Sequence, residues 1–425
     1  MLASIRLENF KSIQKPIRIE LGTITIFIGP NRSGKSSIYQ AMGLLKQTPQ
    51  NQVVWNGEVG NYKDFNYVFN KNGKGNNITI QFGGTTYASA ELEHLLGIHK
   101  IDFGLTVTIN KNFVKEIRFD LGSNRINLSH TAKKTRGRIR LNSEIRAGNI
   151  TFRLASQPNI HNPVVTDGYT VHNEAEADAD RTLEINETVN ELLNVFQNAL
   201  LSCVFIPTIR GFDTPTYSLT DENPVSIPTG EGLTKQAERS ASSMAYNRPA
   251  TRQVSKLIKK VFPGVDISHQ LIPKHVEVTS EDDFGVYNIA NEGFGLNQLC
   301  FLFQQLVLSK EQSTVFIEEP EMALHPAAHI DVCNALLDEI KRVNKQLVIS
   351  THSEHVLLSF LDAVRDGRLN SNHLKVYYFE RINGATNITP LPVSENGGLK
   401  GGMRGFFEAD MKHMDSYIDF IKKQK

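Results

Sequence analysis

The sequence predicts an α/β fold, on three observations. An apolar run at Ile24, Ile26 and Ile28 ends in a glycine-rich loop and passes into a helical pattern, with Ile38, Met42 and Leu45 at i, i+4 and i+7. Near the other end, two short apolar runs at 314–317 and 346–350 follow helical patterns at 296–308 and 327–343. Between the ends, residues from about 78 to 155 alternate apolar and polar (ITIQF, LTVTI, EIRFDL, RIRL, ITFRL) with Asn, Gly and Lys at the turns. Short apolar strands separated by long helices call for a sheet with helices packed on it, and strict alternation calls for an antiparallel lobe.

In chain order, Ile5 and Leu7, then Ile17, Ile19 and Leu21, read as two strands ahead of the run at Ile24. An acidic polar stretch, HNEAEADADR, leads into a helix expected over 183–201. Residues 213–250 are rich in Pro, Ser, Thr and Gly and read as an irregular insertion or lid, with helix resuming near 253–261. There is no repeat and no heptad run.

Composition narrows the class. Of 425 residues, 40% are hydrophobic and 21% charged, which excludes wholesale disorder and fibrous or disulfide-rich scaffolds. Lys and Arg total 46 against 45 Asp and Glu, so the surface as a whole is no magnet for polyanions, although a local basic patch is permitted. Three cysteines, Cys203, Cys300 and Cys333, lack metal-ligand spacing and fit a reducing compartment; Cys300 and Cys333 read as core thiols. No apolar leader opens the chain and no stretch approaches ~18 apolar residues, so a soluble cytoplasmic protein without a membrane partner is expected.

The strongest chemical signal is Gly29-Pro30-Asn31-Arg32-Ser33-Gly34-Lys35-Ser36, a G-x-x-x-x-G-K-[ST] loop between a strand and a helix. Its glycines let successive N–H groups turn inward, and the helix N-terminus adds positive potential for phosphate. Lys35 would neutralise β- and γ-phosphates and Ser36 would ligate Mg²⁺. Glu318 and Glu319 end the apolar run at 314–317, where Glu318 would hold the metal shell and Glu319 would act as general base. Two solvated strand-end carboxylates are the alternative, which the phosphate loop disfavours. His352 ends the next strand, placed either to meet a γ-phosphate or the attacking water, or as a plain core histidine.

Two other clusters are weaker. Glu174, Glu176, Asp178 and Asp180 lie in an Ala-rich polar run and read as a solvated acidic loop rather than a metal nuclease site. Lys133, Lys134, Arg136, Arg138, Arg140 and Arg146 alternate with Ile139, Leu141 and Ile145, as the charged face of a strand or as contacts to nucleic-acid phosphates.

Leu7-Glu8-Asn9-Phe10-Lys11-Ser12, GPNRSGKSS at 29–37, FIEEPEMALHP at 316–326 and STHSEH at 350–355 occur in this order. With them the chain resembles ABC-type ATPases of the SMC, RecF and OLD (overcoming lysogenization defect) kind, well at both ends and poorly in the middle. The resemblance implies an ABC-type ATPase head: a P-loop sheet with flanking helices plus an antiparallel β lobe and an inserted α/β segment. The head would be assembled from 1–84 and 262–425, with 85–261 as the insertion. It implies binding of ATP and Mg²⁺ by Gly29, Asn31, Arg32, Ser33, Gly34, Lys35, Ser36 and Ser37, with Ser36 and Glu318 on the metal, Glu319 and His352 catalytic, and Glu321, Leu324 and His325 in a D-loop-like turn. Two heads would sandwich two nucleotides, as a homodimer or a higher oligomer. Gly293 and Gly295, in the segment 291–298, would close the partner's nucleotide, although Gly293 stands where the signature serine normally is; a tight turn is the alternative. Pro207-Thr208-Ile209-Arg210 resembles a Pro-x-x-Arg segment of OLD-like ATPases, where Arg210 is either functional or structural. Asn9 and Lys11 match nucleotide or D-loop contacts, Gln52 and Gln81 are candidate Q-loop residues, and GGMRGFF at 401–407 matches a C-terminal segment of one subgroup.

The expected function is an ATPase whose cycle opens and closes a head-to-head dimer. Stand-alone ATPases of this resemblance occur in anti-phage systems of the Septu and PARIS types, which implies a sensor or scaffold acting with a separate effector such as a nuclease. A RecF-like repair ATPase that binds DNA, and a nucleotide-gated interaction module with little turnover, are the alternatives.

Overall fold

The computed structural model describes residues 1–48, most of 53–111, the strands between 114 and 154, 198–219 and 233–400. The acidic cluster at 174–180, most of the helix expected over 183–201, Gln52 and the 401–407 motif lie outside the described residues, as do the side chains of the basic run at 133–146.

Strands β1 (Leu2–Glu8) and β2 (Ile17–Glu20) pair antiparallel, whereas β3 (Ile24–Ile28), buried at every position, enters a different sheet. Helix α1 (Lys35–Lys46) follows the glycine-rich loop, and the single turn α2 (Phe65–Val68) is capped by Asp64. Then β4 (Ile78–Tyr87), β5 (Lys100–Ile109), β6 (Val114–Leu121), β7 (Ile126–Thr135), β8 (Arg138–Ala147) and β9 (Ile150–Leu154) add to β1 in turn. The result is one antiparallel sheet in the order β2-β1-β4-β5-β6-β7-β8-β9. Ile78, Ile80 and Phe82 of β4 are buried and their neighbours less so, the period-2 pattern of a sheet covered on one face.

Strand β10 (Cys203–Ile206) is followed by the short β11 (Tyr217–Ser218), helices α3 (Leu233–Tyr246) and α4 (Arg248–Val261), and β12 (Asp266–Ile272), β13 (His275–Asp282) and β14 (Gly285–Asn288). In this small sheet β13 pairs with β11, β12 and β14. The remainder alternates helix and strand: α5 (Phe294–Leu308), β15 (Thr314–Glu318), α6 (Pro326–Val343), β16 (Gln346–Thr351), α7 (Glu354–Arg365), β17 (Leu374–Ile382) and β18 (Ala385–Leu391). The central sheet runs β10-β15-β16-β3-β17-β18 and is parallel except for β18. Every residue of β3, β15 and β16 is buried, which is why these strands read as continuous apolar runs. Because the three are parallel neighbours, their carboxyl ends lie side by side, and the segments after residues 28, 318 and 351 emerge at one edge of the sheet. The fold is mixed α/β.

Two expectations need correction. The stretch 213–250, read as irregular, contains α3, where Ala237, Ala241 and Met244 form a buried stripe at helical spacing that the Ser-rich composition conceals. Asn247 accepts from Ala250 N–H and Pro249 occupies the first turn of α4, so the helix starts five residues before 253. Elements of the segment 85–261 pair and pack with those on either side of it. β4 runs through residue 84 without a break, β10 is an edge strand of the parallel sheet, and Val254, Leu257 and Ile258 of α4 share the core with α5. The apolar CVFI of β10 pairs in register with β15, which draws it into the head.

A buried amide joins the two large sheets. Gln346, 3% exposed, accepts from Leu2 N–H at 3.1 Å and Thr314 Oγ1 at 2.7 Å, and donates to Leu2 O and Gly22 O, both at 2.8 Å. Gln346→Leu should therefore cost about 3 kcal/mol in urea unfolding, because Leu2 loses both backbone partners in a dry setting; a loss under about 1 kcal/mol would contradict this role. A second polar knot sets a pH dependence. His269 lies 3.0 Å from Gln304 Nε2 and 3.4 Å from Thr251 Oγ1, and burial pulls its pKa down to about 4. The unfolded chain then binds the extra proton, so stability is full above pH ~6.5 and declines as pH falls toward 4, by about 3 kcal/mol. His269→Gln should flatten that part of the pH profile.

Candidate functional site

The loop after β3 is shaped for an anion. Gly29 has φ 150° and Gly34 φ 108°, and a side chain at Gly34 would strike Thr386 Oγ1. Thr386 Oγ1 donates to Ser33 O at 2.8 Å and contacts Ser12 Oγ at 2.7 Å, tying the loop to β18 and to the chain after β1. Gly34 is the N-cap of α1 and makes no side-chain cap, so the first-turn N–H groups face the cleft without a side-chain acceptor at the cap. Asn31, Arg32, Ser33, Gly34, Lys35, Ser36 and Ser37 line one cleft of about 750 Å³ together with Glu319 and His352.

Lys35 is 5% exposed and donates to Gly29 O at 2.8 Å and Pro30 O at 3.0 Å. Its Nζ is 3.4 Å from His352 Nδ1, and His352 Nε2 is 3.4 Å from Glu319 Oε1. An ammonium only donates, so Nδ1 accepts and Nε2 carries the proton toward Glu319. Burial pulls Lys35 down to about 8 against the opposing field of Glu319, Glu321 and Glu318. Burial, and after it the charge of Lys35, lowers the pKa of His352 against the opposing pull of Glu319 and the Gly29 backbone.

Glu318, 8% exposed, sits behind the loop. Burial raises its pKa and a hydrogen bond from Ser36 opposes the rise, while its Oε1 has no hydrogen-bond partner. The orphaned oxygen beside a hydroxyl is a hard-oxygen donor pair of the kind a divalent cation takes. Among the described residues, no group of three or more His, Cys, Asp or Glu could hold a metal ion, so a cation here would draw most of its ligands from phosphate and water. Glu319 follows with φ 47°, an uncommon conformation for a residue with a side chain. Three bonds hold it: its N–H to Ser350 O at 2.8 Å, Met322 N–H to its carbonyl at 3.1 Å, and Arg210 Nη2 to the same carbonyl at 3.0 Å.

Arg210, read as either structural or functional, belongs to this site. It is 4% exposed and its Nη1 donates to Pro207 O and Glu318 O, both at 2.8 Å. Burial lowers its pKa to about 10 in spite of the nearby carboxylates of Glu321, Glu319 and Glu318. Glu321 is held by Thr351 Oγ1 and His352 N–H, and burial raises its pKa.

Other expected residues fall into two groups. Lys11 lines the cleft, with φ 50° and a hydrogen bond to Gln40 Oε1, whereas Asn9 braces the carbonyls of Lys74 and Asn77. Gln81 pairs with Arg6 inside the antiparallel sheet and does not line the cleft. Neither do Gly293 and Gly295. Gly293 caps α5 beside open space, and Gly295 packs against Ala323 and Leu324 of the D-loop-like turn. The sequence reading missed Asn66, Tyr67, Asn70 and Arg381 on the cleft wall, which no motif marks.

The model for the AAA ATPase domain matches residues 1–202 and 228–357, and the chain belongs to that family. No curated protein matches the sequence. Among solved structures, the SMC head domain from Thermotoga maritima is similar at 12% identity and a TM-score of 0.44, covering 92% of this chain and 99% of its own. The Smc head domain with an extended coiled coil from Pyrococcus furiosus, bound to the C-terminal domain of ScpA, is similar at 11% identity and a TM-score of 0.47, covering 98% and 99%. Among the described residues, no helix is long and apolar enough to cross a membrane.

Arg210→Met should lower stability by about 3 kcal/mol or more in urea unfolding, since it leaves buried carboxylates and three carbonyls without their cation. Arg210→Lys should recover less than half of that loss, because an ammonium cannot fork to three carbonyls. Full recovery by Lys would reduce the role of Arg210 to charge alone.

Proposed function

We propose that this AAA-family chain works as one ATPase head in the cytoplasm, binds and hydrolyses ATP, and dimerises head-to-head around it. It would serve there as sensor or scaffold for a separate effector protein in anti-phage defence. The observation that carries the hydrolytic reading is the cleft in which Lys35, Ser36, Glu319 and His352 meet.

In this reading Gly29, Asn31, Arg32, Ser33, Gly34 and Ser37 shape a loop whose N–H groups bind the triphosphate at the start of α1. Lys35 sets its charge against the β- and γ-phosphates. Ser36 and Glu318 would hold Mg²⁺, which when bound neutralises charge developing on the phosphate oxygens. Glu319, less buried than Glu318, receives the proton of the attacking water. His352, hydrogen-bonded to Lys35 and 3.4 Å from Glu319, orients that carboxylate. Gly293 and Gly295 would meet the nucleotide of a second copy: they lie outside their own cleft, and Phe294 between them is 55% exposed. The effector and the defence role rest on the OLD-like form of the segments at 291–298 and 316–326.

Lys35→Ala should abolish ATP binding. Glu319→Gln should bind ATP, release no phosphate and accumulate as a dimer, read by phosphate release and light scattering. Wild-type turnover by Glu319→Gln would remove that residue from the base role. Stimulation by duplex DNA with steep salt dependence would redirect the proposal toward a repair ATPase.

A further inference from the structure

Besides the backbone bond from Glu319 N–H to Ser350 O, two side chains that do not line the cleft join the turn 319–325 to the strand end that carries His352. Glu321 provides one tie, accepting from Thr351 Oγ1 and from His352 N–H. The other is His329, a residue of α6 that no motif marks and that is 8% exposed. Its Nε2 lies 3.2 Å from Leu324 O and its Nδ1 lies 2.9 Å from Ser353 Oγ. A carbonyl only accepts, so Nε2 carries the proton and Nδ1 must accept from the Ser353 hydroxyl. Ser353 Oγ in turn accepts Val356 N–H at 3.3 Å and caps α7. One ordered chain of hydrogen bonds therefore runs from the first turn of α7, through Ser353 and the imidazole, to the carbonyl of Leu324. Burial lowers the pKa of His329 and favours the neutral ring that this chain requires.

The two ends of this chain differ in exposure. Ala323, next to Leu324, is exposed and has φ 61°, and Leu324 touches the position where a side chain on Gly295 would sit. Ser353 adjoins His352, whose ring contacts both Lys35 and Glu319. We infer that His329 is a positioning residue: it fixes the 319–325 turn relative to His352, so that the surface beside Gly295 and the carboxylate of Glu319 hold one mutual geometry. This role rests on the hydrolytic reading above. It predicts an effect on the chemical step and none on nucleotide affinity, because His329 does not line the cleft.

The test is steady-state ATP turnover with a binding isotherm for His329→Leu, His329→Gln, Ser353→Ala and the Leu/Ala double variant. His329→Leu should lower kcat about tenfold, the scale on which small misplacements of reacting groups act, with Kd for ATP unchanged. His329→Gln, which keeps a donor for Leu324 O, should recover part of that loss. The double variant should be no slower than the slower single one, because both changes break the same chain. Wild-type kcat in His329→Leu, or multiplicative losses in the double variant, would overturn the role. Should His329→Leu not fold, Ser353→Ala decides alone: a several-fold lower kcat at unchanged Kd supports the role and an unchanged kcat overturns it. If the wild-type chain releases no phosphate, the hydrolytic reading fails first; if Glu319→Gln is inactive while the His329 variants are normal, only this inference fails.

Discussion

The site depends on how three carboxylates within four residues are balanced. Glu318, Glu319 and Glu321 crowd the end of one buried strand, within the fields of Lys35, Arg210 and Lys11. Arg210 reaches in from the segment after β10 and is committed to backbone carbonyls. Lys35 reaches in from the loop after β3, and its ammonium is pulled down by burial in spite of the carboxylate field. Such a cluster is costly to bury, and its retention makes sense where the charges are used.

The sheet explains why these groups can meet. Lys35 lies roughly three hundred residues before Glu319 and His352 along the chain, but the three issue from three adjacent parallel strands. Loops at the carboxyl ends of such strands converge by geometry, whatever their sequence distance. Gln346, at the amino end of β16, and Tyr377 fasten the antiparallel sheet to the parallel one: Gln346 bonds to both backbone groups of Leu2, and the Tyr377 hydroxyl bridges both backbone groups of Glu20. Through Ser12 and Thr386, the chain between β1 and β2 also braces the phosphate loop.

Much of this was legible in the sequence because it rests on local signals. The phosphate loop, the strand ending in Glu318-Glu319 and the strand ending in His352 each carry a run of apolar residues closed by polar ones. Parts that depend on tertiary partners were not legible. Helix α3 hides its apolar stripe among serines, and β10 is only four residues long and takes its meaning from β15. Arg210 could be noticed but not assigned, since three backbone carbonyls leave no pattern in sequence. His329 resembles any helix histidine until Leu324 O and Ser353 Oγ are seen on its two nitrogens.

The most direct measurement of the central claim is a crystal or cryo-electron microscopy structure of the Glu319→Gln protein with ATP and magnesium. The triphosphate should lie on the loop from Gly29 to Ser37, the metal between Ser36 and Glu318, and Gly293 of a second copy over the terminal phosphate. Nucleotide bound elsewhere, or a metal that does not touch Glu318 directly or through water, would contradict that claim.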